Sequence, residues 1–489
     1  MAQRRLEEVR KIRLDKVEKL RELGVDPYPA KPIKTPESIS SAIGKKGEDM
    51  VVAGRVTGWR EHGNVIFGDL RDETGQIQIF FQKKLLKENF NVLKLFDIGD
   101  FLLVIGKIFR TEAGELTIDV SEFQLLTKSV RPLPSSWHGL KDVEERYRKR
   151  YLDLLMNPEV REKLTARSLV IREMRSFLDQ RGFVEVETPT LQPVYGGGYA
   201  KPFITHHNAL DTNFYLRISD EMYLKRLIVG GFEKVYEITK VFRNEGVDHD
   251  HNPEFTMFEA QIAYQDYKYA MELTEEMVEH VALEVFGKTR FEYLNMQIDF
   301  ARPWKRLTVV ESIREFVGVD VLGWSSLEEA KKAVVGLEMR EDKLKELGKL
   351  GSVGQIIAFV FEELVEEKLT QPTIIYDYPK EVSPLAKMSR SENFTERFEV
   401  FAAGTELGNN YSELNDPVDL KKRFIEEKKK EKAGLSDVHQ TDEDYLHAIE
   451  HGFPPTSGLG IGVDRLVMLM TNTANIREVI AFPTLRPEK

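Results

Sequence analysis

The sequence contains no cysteine, which removes disulfides, thiolate zinc sites, iron–sulfur clusters and cysteine nucleophiles in one step. Any metal must be held by carboxylates or by the ten histidines. There is also no run of about 18 apolar residues of the kind that spans a bilayer. The opening stretch MAQRRLEEVRKIRL lacks the apolar segment of a secretory leader, so a cytoplasmic location without membrane contact is the expectation. Basic charge is not in excess: 70 Lys and Arg stand against 81 Asp and Glu, a net charge of −11. Net charge governs solubility and non-specific association rather than fold, so any nucleic-acid contact must be a local patch. What is present is ordinary for a globular protein, with 41% hydrophobic and 31% charged residues, 33 Gly and 20 Pro. That excludes disorder and collagen. At about 150 residues per domain, a chain of 489 residues suggests two to four folding units.

Between Arg4 and Leu23 the residues Leu6, Val9, Ile12, Val17, Leu20 and Leu23 recur at spacings of three to five, with charges of both signs between them. This predicts a helix stopped by Gly24, Pro27 and Pro29. Residues 1–50 are read as this helix and a lead-in, its charged face suited to solvent or to a polyanion. Residues 51–130 change character. The runs VVAGRV, NVIFGDL, GQIQIFF, FLLVIGKIF and GELTIDV are separated by turn formers such as Asp72-Glu73-Thr74-Gly75. Five short strands near even spacing predict a barrel of OB-fold size, a fold that binds single-stranded oligonucleotides on one face. Phe67 and Gln78 lie on neighbouring runs, where an aromatic stacks a base and an amide reads its edge; period-2 alternation alone leaves open whether Phe67 belongs instead to the core. Residues 131–158 read as a linker because of RPLPSSWHG. Residues 159–489 mix helical periods with strand-like runs (183–187, 214–218, 234–242, 255–264), an α+β unit with a charged helical insertion near 320–370. The basic run Lys421 to Lys432 interleaves glutamates and reads as a solvated helix face.

Three stretches concentrate chemistry. In VFRNEGVDHDHNPEFTMFE (241–259) two strand-like runs flank a polar loop. In an antiparallel pair Arg243 and Glu245 point to one face, and Phe255 and Glu259 can return to it. Arginine suits bidentate contact with phosphate or carboxylate, and an aromatic face stacks a base. The alternatives are a surface hairpin of ion pairs, or a two-histidine metal site that lacks a third ligand at a recognisable spacing. In GLGIGVDRL (458–466), glycines at alternate positions leave one strand face bare for a flat ligand, and Arg465 begins a helix. Neither G-x-G-x-x-G nor a G-x-x-x-x-G-K-[ST] loop is present, so any nucleotide is bound another way. In RFEVFAAGTELGNNYSELND (397–416) acids and amides exceed what a buried sheet tolerates without partners. They imply a bound cation or cationic ligand, with Glu399 and Glu406 suited to Mg²⁺ beside nucleotide phosphates. A structural ion-pair network is the alternative.

Taken together, FRNEGVDHDHNPEF, GLGIGVDR and RGFVEVETP (Arg181 to Pro189) resemble motifs 2, 3 and 1 of the class II aminoacyl-tRNA synthetases. The words KPFITHHNALD, YLRISDEMYLKRLIVGGFEKVYEI, EVSPLAK and YSELNDP make the chain similar, over nearly its whole length, to the bacterial-type lysyl-tRNA synthetases. The resemblance implies an N-terminal OB-fold β-barrel that binds the anticodon, then a class II antiparallel sheet flanked by helices, in a homodimer formed through motif 1. It implies ATP-dependent activation of L-lysine to lysyl-adenylate and transfer to the 3′ end of tRNA(Lys), with Mg²⁺. By the family's pattern Arg243 holds the α-phosphate and the amino-acid carboxylate, Glu245 and Asn252 address the adenine, and His251 meets the outer phosphates. Phe255 covers one face of the adenine, while Arg465 covers the other and reaches the γ-phosphate. Glu399 and Glu406 match the metal ligands. Gly197 and Glu221 match the grip on the α-amine, Asn409 a carboxylate partner, Tyr411 a pocket wall, and Glu259 with Glu413 the side-chain ammonium site. Phe67, Gln78 and Glu122 match the anticodon-reading positions.

The sequence departs from that pattern twice. Gln261 stands where lysine enzymes usually carry a tyrosine, which reshapes the pocket around the ammonium. Tyr199 follows Gly196-Gly197-Gly198 in what is usually a loop of small residues. An aspartyl or asparaginyl relative shares the layout but requires a cationic pocket, against Glu259 and Glu413. A non-catalytic RNA-binding relative would not need both motif arginines and both metal carboxylates. Two anions facing a buried cation favour lysine, since a neutral isostere leaves both unpaired.

Overall fold

The computed structural model describes residues 2–43, 45, 49–134, 140, 142–337, 339–391, 393–432 and 440–488. The chain divides into two compact units, Met1–Lys141 and Asp142–Lys489.

The first unit is built on a closed five-stranded barrel. Helix α1 (Ala2–Glu22) precedes strands β1 (Asp49–His62), β2 (Val65–Arg71), β3 (Gln76–Gln82), β4 (Phe101–Arg110) and β5 (Leu116–Thr127), in the order β1-β2-β3-β5-β4. Alternate residues such as Val52, Ile66, Leu70, Ile79, Phe81, Val104 and Ile118 fill the interior, joined by Leu20 of α1. The helix is also held by buried Arg13, which donates to the carbonyls of Ile98, Ser129 and Arg131. A helical segment not expected from the sequence, Lys83–Leu86 continuing into Lys87–Leu95, joins β3 to β4 and plugs the barrel with Phe90 and Leu93.

The boundary differs from the sequence reading. Of the linker, residues 135–139 and 141 lie outside the described residues, but 142–158 are not linker. They form two short helices, Val143–Arg148 and Arg150–Met156. Buried Arg150 pairs with Asp153 at 2.6 Å and donates to the carbonyls of Arg477, Ile480 and Ala481, which ties this segment to the far end of the chain. Charged side chains made the stretch look exposed, whereas its charges satisfy one another and the backbone.

The second unit centres on an eight-stranded sheet. In chain order its elements are α2 (Pro158–Asp179), β6 (Val184–Glu185), α3 (Glu221–Val229), β7 (Lys234–Phe242), β8 (Glu254–Ala263), α4 (Tyr267–Phe286), β9 (Lys305–Thr308), β10 (Thr373–Pro379), β11 (Phe394–Ala402), β12 (Thr405–Ser412), β13 (Thr456–Gly462) and α5 (Val463–Met470). The strands run β9-β10-β11-β12-β13-β8-β7-β6. The expectation of an antiparallel sheet holds for the six central strands. Both edges are parallel, β9 with β10 and β6 with β7, so the sheet is mixed. Each edge strand is reached by a long crossover instead of a hairpin, and crossovers produce parallel pairs.

One face of the sheet is apolar. Phe258, Ala260 and Ile262 of β8, Phe398 and Val400 of β11, and Leu459 and Ile461 of β13 pack against α2, α4 and α5 in one core. By the two-residue period the other face carries Met257, Glu259, Gln261, Arg397, Glu399 and the three glycines of β13. The helices Leu327–Val335, Glu341–Lys349 and Val353–Leu364 fall in the region read as a helical insertion. They pack around Ala330, Val334, Leu347, Ile356 and Val360 in a separate cluster. Among the described residues, no helix is long and apolar enough to cross a membrane.

Candidate active site

The polar face of the sheet floors a cavity of about 560 Å³ in the second unit. Its walls include Gly197, Glu221, Arg243, Glu245, His251, Asn252, Phe255, Glu259, Gln261, Glu406, Asn409, Tyr411, Glu413 and Arg465. Fourteen residues singled out in the sequence, drawn from positions 197 to 465, thus meet at one place. Glu399 is the exception: it sits one layer back, accepting from Tyr378 Oη at 2.8 Å and from Arg397.

At one end of the cavity the register sets residues in rows. Gln261 pairs with Gly458, Gly458 with Tyr411, and Tyr411 with Arg397 across four strands. Gly458 must be bare: a Cβ there would lie 2.5 Å from Glu413 Oε1 and 2.9 Å from Gln261 Nε2. Through that gap Gln261 Nε2 donates to Glu413 Oε1 at 2.8 Å, leaving Gln261 Oε1 buried with no donor among the described residues. Glu413 is 1% exposed, and burial pushes its carboxyl up to about 8 although Lys225 pulls it down. Burial and Glu221 raise Glu259 to about 7, with Ser219 and Arg243 opposing.

Lys225 was missed in the sequence. It lies one turn beyond Glu221 on α3, is fully buried, and ion-pairs with Glu221 and with Glu413 Oε2 at 2.5 Å. Burial alone would lower its pKa, but the two carboxylates more than reverse that and hold it charged. Its ammonium stands 5.1 Å over the Tyr411 ring, whose hydroxyl donates to Glu221. The i, i+4 spacing from Glu221 was the available signal. Glu413 therefore does not wait with Glu259 as a free pair of anions, as the resemblance implied. It already has a cation and an amide on it.

The other end is cationic. Arg243 follows β7, its backbone N–H bonded to Pro253 O, and its guanidinium lies 5.1 Å from the Phe255 ring centre. Its Nε is buried without an acceptor among the described residues. Arg465, in the first turn of α5, donates to Glu406 O at 2.7 Å and lies 3.2 Å from His251 Nε2. The other ring nitrogen of His251 is 2.9 Å from Asp248. Asp464 fixes this helix start: it accepts from the Thr256 N–H at 2.5 Å and ion-pairs with Arg167 of α2 at 2.9 Å. Asn252 Nδ2 donates to Glu254 O. The two loop histidines do not converge on a metal site, since His249 is bonded to Asn475 and His251 to Asp248.

Beside Arg465 negative charge accumulates. Burial together with the charges of Glu399 and Glu406 pushes Glu362 up to about 7 and Glu366 up to about 8. Burial likewise raises Glu399, against the pull of Arg397. Arg397 was also missed, although it lies two residues before Glu399 and so shares its strand face. It donates to Asn409 Oδ1 at 3.0 Å and to Val382 O at 2.6 Å.

In the barrel, Phe67 is not a core residue. Ile66 and Leu70 point inward, while Phe67 faces out and stacks on Phe80 at 4.6 Å, with Phe109 6.1 Å from Phe80. Gln78 shares this face, accepting from Thr117 Oγ1 at 2.8 Å and donating to Glu115 at 3.1 Å. The structure does not bring Glu122 to them. Thr117 pairs with Gln78, and Glu122 lies five residues further along β5, past a register shift against β4; its ion pair is with Lys34.

Fold and site together define a class II tRNA synthetase. Residues 142–486 match the family described as tRNA synthetases class II (D, K and N), and residues 50–126 match the OB-fold nucleic acid binding domain. The chain is 48% identical to a lysine–tRNA ligase of Syntrophomonas wolfei, covering 99% of this chain and 98% of that protein. It is 49% identical to the lysine–tRNA ligase of Thermoanaerobacter pseudethanolicus (99% and 97% covered) and 47% identical to that of Carboxydothermus hydrogenoformans (100% of both). The chain belongs to the lysine–tRNA ligase family.

Proposed function

We propose that the cavity activates L-lysine with ATP to lysyl-adenylate and passes the lysyl group to the 3′ end of tRNA(Lys), in a cytoplasmic homodimer. The observation that carries this reading is the polarity of the cavity, with Glu221, Glu259 and Glu413 at one end and Arg243 and Arg465 at the other. An amino acid with a cationic side chain seats its ammonium at the first end and its carboxylate towards the second. An acidic amino acid would meet three carboxylates. Gln261 replaces the expected tyrosine with an amide whose unpartnered carbonyl accepts an ammonium N–H. Lys225 cancels one of the three charges, which leaves room for one substrate cation instead of several.

In this reading Arg243 bridges the substrate carboxylate and the α-phosphate, aligning them for in-line attack and stabilising charge as pyrophosphate leaves. Phe255 and Arg465 sandwich the adenine. Glu362 and Glu366, pushed up by burial and by the charges of Glu399 and Glu406, lie with those two in an acidic cluster of the oxygen-ligand kind that suits a hard cation. Mg²⁺ would be held by Glu406, which lines the cavity, and by Glu399, which would exchange its contacts with Arg397 and Tyr378 for the ion, and it would neutralise phosphate charge. Phe67 and Gln78 offer a stacking and reading face for an unpaired base, with Glu122 a more distant contact. The dimer reading rests on the motif 1 stretch, where Val184 and nearby Leu191 are exposed apolar residues.

The test is amino-acid-dependent exchange of pyrophosphate into ATP. Lysine should support exchange, and Arg243→Ala should lower it by about 10²-fold or more, the scale of losing a preorganised charge-stabilising donor. Exchange with another amino acid and none with lysine would defeat the assignment.

A further inference from the structure

Behind the amino-acid end of the cavity lies a carboxyl group that the proposed mechanism leaves unused. Asp220 occupies the N-cap position of α3, between Ser219 and Glu221. An aspartate there ordinarily accepts from an N–H of the first helical turn, yet Asp220 makes no side-chain cap. It is 0% exposed, and beyond its own backbone N–H neither carboxyl oxygen meets a donor among the described residues. The nearby cation is already engaged. Arg217 donates through Nε to Lys240 O, through Nη1 to Glu237 at 2.8 Å and to Thr188, and through Nη2 to Thr239.

What Asp220 does meet is another carboxyl group. It lies in hydrogen-bonding contact with Glu259, whose Oε1 also accepts from Ser219 Oγ at 2.8 Å. Two carboxyl groups can share a hydrogen bond only if one keeps its proton. The charged groups around the pair agree. Burial pushes the Asp220 carboxyl well up, Glu259 and Glu237 push it further, and Arg217 with the residue's own backbone N–H pulls back less. On the other side Glu259 faces Glu221 and Arg243. Glu259 lines the cavity and Asp220 does not, so the proton belongs on the inner partner, where charge is least solvated.

We propose that Asp220 is a neutral carboxylic acid that keeps its proton and donates a hydrogen bond through it to Glu259, and so holds that carboxylate ionised and fixed in orientation against the substrate's ammonium. It is a positioning residue, acting through Glu259. An ionised Asp220 would do the reverse: a second buried charge beside Glu259 would drive a proton onto it and discharge the ammonium site. The proposal rests on the reading of this cavity as a lysine site.

The test compares the full-length protein with Asp220→Asn, which keeps a neutral donor, and Asp220→Leu, which removes it. Wild-type minus Asp220→Asn infrared difference spectra at about pH 7.5 should show a protonated-carboxyl C=O stretch from Asp220, where an ordinary aspartate is ionised; the bands of Glu413 and Glu366, pushed up to about 8, are common to both proteins and cancel. In pyrophosphate exchange, Asp220→Asn should keep the KM for lysine within about threefold, while Asp220→Leu raises it about tenfold or more with kcat much less affected. Absence of that carboxyl band, or an equal rise in KM in both variants, would overturn the proposal. If Asp220→Leu does not fold, the infrared and Asp220→Asn results decide alone. The infrared result needs no substrate. A wild type that shows the band but no lysine-dependent exchange would sink the lysine reading and leave the proton on Asp220.

Discussion

Removing the charge of Lys225 gives the sharpest test of how this cavity is held together. In Lys225→Met the side chain keeps its length and apolar stem, but Glu221 and Glu413 lose the cation that pairs with both. Breaking one side of a buried ion pair costs about 3–5 kcal/mol, because a charge is left without compensation. Here the cost has an escape, since Glu413 is already pushed up to about 8 and can take a proton. A carboxyl whose folded pKa lies above its unfolded value weighs against folding as pH rises from the unfolded value towards the folded one. Loss of Lys225 raises that folded value further and extends the window upward. The variant should therefore lose about 3 kcal/mol at pH 8.5 and roughly half of that at pH 6, where protonation relieves the repulsion. Urea denaturation of wild type and variant at both pH values, followed by circular dichroism, measures this. A loss below about 1 kcal/mol at pH 8.5, or a larger loss at pH 6, would show that Lys225 does not carry this charge balance.

Two further predictions separate the parts of the molecule. Gly458→Ala puts a methyl group 2.5 Å from Glu413 Oε1, so the Gln261–Glu413 hydrogen bond must open. Loss of a charged hydrogen bond of about 1.5–3 kcal/mol should raise the KM for lysine roughly 10–100-fold while the KM for ATP changes little; equal effects on both substrates would contradict the division of the cavity into two ends. Phe67→Ala removes one ring of an outward-facing stack and leaves the barrel interior intact. It should spare pyrophosphate exchange but lower the efficiency of tRNA charging by about 1–3 kcal/mol, the scale of one base–aromatic stack, and equal loss in both assays would remove the barrel face from tRNA recognition.

The parts of the site legible in the sequence were those written in local periodicity. Alternation marked the barrel strands, alternate glycines marked the bare face of β13, and the two-residue period put Glu259 on the cavity face of β8, while Arg243 sits just past the end of β7. What escaped was decided by contacts distant in sequence. Lys225 sits on a helix whose pattern reads as amphipathic, and only the approach of Glu413, 188 positions later, turns it from a solvated lysine into a buried counter-ion. Glu399 and Glu406 read as equivalent, but the register shift between Val400 and Phe401 leaves Glu399 behind Arg397 while Glu406 reaches the cavity. Residues 142–158 looked like linker because their arginines and acids could not be paired from spacing alone. The outward direction of Phe67 became clear only when β3 placed Phe80 beside it.

Strand β13 lies between β12 and β8, near the middle of the sheet, although it is the last of the eight strands in the chain. Until Thr456–Gly462 has left the ribosome, β8 and β12 have no neighbour in common, and the floor on which Gln261, Tyr411 and Arg465 gather does not exist. Every pairing of the N-terminal barrel, by contrast, is complete by residue 127. A nascent chain would pass through a long stage in which one half is assembled and the other still exposes two unpaired strand edges, the kind of surface that invites aggregation. Premature termination even a few dozen residues short of the end would leave it there permanently.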